Sequence, residues 1–71
     1  SEESWDRAAS EFQRLVERYP NSAYAGDALY WEAFARGRMG SNSDLKRAVR
    51  ALDRQKSEYP KAATLVSGEA S

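Results

Sequence analysis

Ala8-Ala9-Ser10-Glu11-Phe12-Gln13-Arg14-Leu15-Val16-Glu17-Arg18-Tyr19-Pro20-Asn21-Ser22 is the stretch on which the reading of this chain turns. With Trp5 added in front, its apolar positions are Trp5, Ala8, Ala9, Phe12, Leu15, Val16 and Tyr19. The steps of three, one, three, three, one and three place them on one side of a helix. Arg7, Glu11, Gln13, Arg14, Glu17 and Arg18 take the other side. Pro20 ends the pattern, because it lacks an N–H and pushes Tyr19 out of the α region. A first helix over about 4–18 is expected, capped by Ser1 or Ser4, with Glu2, Glu3 and Asp6 at the positive end of its dipole. Arg7/Glu11 should attract and Arg14/Arg18 repel at their spacing of four.

Working outward, Asn21 and Ser22 are good caps for a second helix over roughly 22–38, folded back on the first. Its apolar residues, from Tyr24 through Leu29, Tyr30, Trp31 and Phe34 to Met39, surround most of the helix. Only two small polar windows interrupt them, Asp27/Arg38 and Glu32/Arg36. A helix apolar nearly all round is packed on more than one side, which makes this the central element. Its alanines permit close approach, whereas Gly26 and Gly37 each cost about 1 kcal/mol in a helix interior, and Gly37 marks a fraying last turn. Gly40 suits a left-handed helix end. Ser41 with Asp44 forms a capping-box-like start, with Ser43 as a rival cap. A third helix is expected over roughly 43–58, with the stripe Leu45, Ala48, Val49, Leu52 and Tyr59, weakened at its end by Gln55 and Lys56. Pro60 repeats the stop, and residues 61–71 begin a further helix or a frayed tail.

The repetition is explicit at an offset of forty residues. Arg7/Arg47, Ala8/Ala48, Arg14/Arg54, Tyr19/Tyr59, Pro20/Pro60 and Ala23/Ala63 are identical, and Phe12/Leu52 and Ala9/Val49 are similar. Two helices per period of that length point to a helical solenoid. Ala8, Phe12 and Pro20, and again Ala48, Leu52 and Pro60, resemble the tetratricopeptide repeat family. The run from Tyr19 to Trp31 (YPNSAYAGDALYW) is similar to a bacterial envelope subclass. That subclass includes the periplasmic repeat protein of the Tol-Pal system and the repeat lipoprotein of the outer-membrane β-barrel assembly machinery. The resemblance spans about residues 5–63. It implies an all-α fold of antiparallel helices, three main ones plus a short or truncated fourth. Residues 4–19 would be the second helix of a partial repeat, 22–59 one complete repeat, and 61–71 the start of the next. Arg36 and Gly37 stand where such repeats usually carry large apolar residues.

The composition excludes more than it identifies. The chain has 71 residues, enough for one small domain, with neither Cys nor His. Disulfides, thiolate metal sites and imidazole general bases are therefore excluded. No EF-hand spacing and no phosphate-cradling glycine loop occurs, so no catalytic residue, metal or cofactor is expected and the chain is read as non-catalytic. No apolar run reaches the length of a membrane span. Net charge is zero but uneven. Residues 1–32 hold seven carboxylates against three arginines, and residues 33–56 hold seven bases against two aspartates. Arg47, Arg50 and Arg54 form a candidate basic patch on one face of the third helix. Nucleic acid and lipid headgroups are disfavoured as partners, because that charge is modest and no aromatic interleaves with it.

The resemblance implies a different site. In the family the first helix of each repeat lines a peptide-binding groove, and carried onto the second helix here that face comprises Asp27, Tyr30, Phe34 and Arg38. A protein or peptide partner follows, with self-association through exposed half-repeat faces as the alternative. The resemblance favours a periplasmic or envelope location over a cytoplasmic one.

Overall fold

The computed structural model describes residues 2–67, with side chains described from 4 to 63. Four helices follow one another: α1 (Glu2–Arg18), α2 (Ala25–Met39), α3 (Asn42–Glu58) and α4 (Pro60–Ser67). The chain is an all-α helical repeat with a short C-terminal helix. Ser1, one of the two expected caps, and residues 68–71 of the expected tail lie outside the described residues.

The two Tyr-Pro steps end their helices in the same way and start the next ones differently. The N–H of Tyr19 donates to Leu15 O at 2.8 Å, and that of Tyr59 to Gln55 O at 2.8 Å. After Pro20 the chain makes two turns before it becomes helical. Ser22 N donates to Tyr19 O at 3.0 Å and Ala25 N to Ser22 O at 3.1 Å. The Ser22 hydroxyl accepts from Tyr24 N at 3.1 Å, so it closes a turn and does not cap α2. The cap position falls to Tyr24, without a side-chain bond, and α2 starts three residues later than the sequence suggests. After Pro60 the helix begins at once: Tyr59 O accepts from Ala62 N at 3.0 Å and Ala63 N at 3.2 Å. Pro60 is thus the first residue of α4, where a missing N–H costs nothing. The difference follows composition, since Asn21 and Ser22 favour turns while Lys61 and Ala62 favour helix.

Between α2 and α3 the expected signals operate. Gly40 adopts φ 79° and its N–H returns to Arg36 O. The Ser41 side chain accepts from Asp44 N at 3.1 Å, so Ser41 is the cap and Ser43 is not.

α2 is the central helix, packed against α1 on one side and against α3 and α4 on the other. The core consists of Val16, Ala28, Leu29, Ala33, Ala48 and Ala51, with Phe12, Leu15 and Tyr59 packed around it. It is built largely from alanines, which lets the helix backbones approach closely. Three expectations about packing are corrected here. First, the large residues of the α3 stripe stay outside the core: Leu45, Val49 and Leu52 are exposed, and Ala48, Ala51 and Gln55 face inward. Gln55 does not weaken the packing. It is only 3 % exposed, and its amide donates to Gly26 O at 2.9 Å.

Second, the Glu32/Arg36 window of α2 faces inward. The Arg36 side chain is 4 % exposed, its Nε donates to Glu32 Oε2 at 2.8 Å, and its Nη2 donates to Gln13 Oε1 of α1 at 3.0 Å. Gln13 in turn donates to Glu17 at 3.2 Å. Among the described residues no buried side-chain polar atom lacks a partner, so the network is satisfied and tolerable in a small core. Third, Tyr19 is exposed, while its counterpart Tyr59 is half-buried and donates its hydroxyl proton to Pro20 O at 2.5 Å. On the surface of α1, Glu11 approaches Arg14 at 3.7 Å, an exposed pair of little energetic weight.

Candidate functional site

Asp27, Tyr30, Phe34 and Arg38 step by three, four and four along α2, and this spacing keeps them on one face. Asp27, Phe34 and Arg38 are exposed and Tyr30 is half-buried. The opposite face supplies Ala25, Ala28, Leu29, Glu32 and Arg36 to the interior. The chain therefore presents the four residues together, but with further aromatics among them.

Phe34 meets Trp5 of α1 edge-on, with ring centroids 5.7 Å apart, and Trp31 at 5.9 Å. Trp31 meets Tyr30 at 5.2 Å, again edge-on. Trp31 remains 48 % exposed and Phe34 43 % exposed, although each touches another ring. Tyr30, Trp31, Phe34 and Trp5 form one continuous aromatic strip across the α1–α2 seam. Trp5 and Trp31 were missed by the face assigned from sequence. Their signal was the spacing of three between Trp31 and Phe34, together with the Trp at the outset of α1. The guanidinium of Arg38 lies 5.5 Å from the Trp5 ring and 5.8 Å from the Phe34 ring, contacts worth about 0.5–1 kcal/mol each at an exposed site. Arg38 is therefore held over the rings. Asp27 and Arg38 lie eleven residues apart, about 16 Å along the helix axis. The strip is acidic at one end and basic at the other. Both charges also sit in the helix turns where they complement the dipole.

The basic patch divides. Arg47, Arg50 and Arg54 are all on α3, but Arg54 Nε donates to Glu58 at 3.2 Å. Arg50 borders an open cleft lined by Asn42, Leu45, Lys46 and Val49. A second cleft joins Tyr30 of α2 to Val49, Leu52 and Lys56 of α3 and to Ala63 of α4. Among the described residues no group of three or more carboxylates, histidines or cysteines converges on a metal-sized site. Among the described residues no helix is long and apolar enough to cross a membrane.

A tetratricopeptide repeat family model matches residues 2–22, which are α1 and the Tyr19-Pro20 turn. This match supports the family resemblance on that segment and, with the fold, a protein-interaction type of module. Neither a curated protein nor a solved structure matches the chain.

Proposed function

We propose that this chain is a non-catalytic interaction module that holds a protein or peptide segment on the exposed face of α2, with Asp27, Tyr30, Phe34 and Arg38 as contact residues. The observation that carries the reading is the aromatic strip. Its large rings are half in solvent, Trp5 of α1 packs against it, and the Arg38 cation stands over the rings at one end. Aromatic rings and arginine are the side chains enriched at interface hot spots. A strip with an apolar centre and opposite charges at its ends suits an extended or helical segment carrying the complementary charges. The similarity of the Tyr19 to Trp31 run to envelope repeat proteins supports a bacterial, periplasmic setting for the module. Fractionation of cells expressing the full-length gene product tests that setting.

Affinity capture with the intact chain tests the binding face. A specific protein is recovered by the native chain and lost with Tyr30→Ala combined with Phe34→Ala, while circular dichroism shows the helices retained. Recovery undiminished by the double substitution overturns the assignment of the face.

A further inference from the structure

The forty-residue offset maps one packing face onto another whose surroundings differ. Trp5, Ala9, Phe12 and Val16 of α1 correspond to Leu45, Val49, Leu52 and Lys56 of α3. On α1 this face lies against α2: Ala9 and Val16 are fully buried, and Trp5 and Phe12 are half-buried. On α3 it is open, with Leu45 45 % and Val49 56 % exposed. Among the described residues, α4 follows α3 as α2 follows α1 and reaches the C-terminal part of this face, where Ala63 borders the same cleft as Val49, Leu52 and Lys56. In the N-terminal half of α3, Leu45 and Val49 form an apolar floor that no described residue buries.

The chemistry of this floor also differs from that of α1. Lys56 stands where α1 buries Val16, and Lys46 and Arg50 line the cleft that contains Leu45 and Val49. Against these three bases the face carries Asp53. A purely apolar helix of the α2 kind would desolvate those cations without pairing them. An occupant that carries carboxylates beside its apolar stripe pairs them.

We propose that the N-terminal part of this α3 face, around Leu45 and Val49, docks an acidic amphipathic helix of another protein, packed beside α4. Its apolar stripe covers Leu45 and Val49, and its acidic flanks meet Lys46 and Arg50. This surface is distinct from the Phe34–Arg38 strip, and the proposal stands whether or not that strip binds a partner.

Two synthetic peptides of about 18 residues, long enough to be helical, test it. They share one Leu/Ala stripe and differ only in flanks of Glu or Lys. Titrated into the full chain and followed by backbone amide NMR, the Glu peptide shifts residues 45–56 and binds at least about tenfold more tightly than the Lys peptide. Val49→Glu lowers the Glu peptide's affinity about tenfold or more, and because Val49 is exposed the helix content is unchanged. Lys46→Glu with Arg50→Glu inverts the preference between the peptides. Phe34→Ala changes none of these results. Equal affinity for both peptides, absence of binding, or indifference to Val49→Glu overturns the proposal. So does concentration-dependent self-association of the free chain that Val49→Glu abolishes, since the occupant is then a second copy.

Discussion

Gly26 and Gly37 are the same residue type in the same helix, and their surroundings give them opposite consequences. A Cβ placed on Gly26 would lie 2.6 Å from Ala62 Cβ and 2.8 Å from Tyr59 Cβ, atoms that cannot move without their backbone. Gly26 is therefore the point where α2 admits the start of α4, and its carbonyl is the acceptor for Gln55. At Gly37 nothing lies within 4 Å of an added Cβ. Gly26→Ala is expected to destabilise the chain by about 1–3 kcal/mol through overpacking. Gly37→Ala is expected to stabilise it by about 0.5–1 kcal/mol through helix propensity. Urea unfolding of the two variants beside the native chain measures both shifts, and equal shifts would contradict the crossing at Gly26. The sequence showed two helix glycines of equal cost; only the distance to α4 separates them.

Among the elements, the two Tyr-Pro steps are the clearest comparison. Tyr59 reaches back to the carbonyl of Pro20, tying the end of α3 to the turn between α1 and α2. Tyr19 is exposed and has the Arg18 guanidinium 5.9 Å from its ring. Tyr59→Phe is expected to cost about 1 kcal/mol, the net value of one hydrogen bond, and Tyr19→Phe to cost less than about 0.5 kcal/mol, as for a surface substitution. Thermal unfolding of the pair distinguishes a structural tyrosine from its sequence twin. The same comparison governs α3 as a whole. Its moment of large apolar residues identified an apolar face, and that face exists. It is not the face that packs on α2, because the alanine-rich surface of α2 is met by Ala48, Ala51 and Gln55.

For the whole molecule the decisive feature is size. A chain of 71 residues has a stability of roughly 4–10 kcal/mol, so one buried ionic group decides whether it folds. Arg36 is buried with Glu32 and tied to Gln13 across the α1–α2 seam. Glu32→Ala leaves the guanidinium unpaired and is expected to cost about 3–5 kcal/mol, a large share of the total. Glu32→Leu with Arg36→Met removes both charges and is expected to recover most of that loss. Chemical denaturation of the native, single and double variants provides the check; a double variant no better than the single one would show that the pair itself, not its desolvation, holds the seam. The sequence by itself left residues 61–71 open between a further helix and a frayed tail and Ser41 and Ser43 as rival caps, while it determined three main helices in order, the Pro20 and Gly40 boundaries, the central place of α2 and the absence of imidazole and thiol side chains. These follow from dihedral restrictions, capping and periodicity, which are local. Tertiary structure alone decided that Glu32, Arg36 and Gln55 are interior, that Trp5 and Trp31 join the exposed strip, and that Leu45 and Val49 are left open. Periodicity locates a helix face, but what covers that face depends on the residues that the neighbouring helix presents, here the small residues of α2.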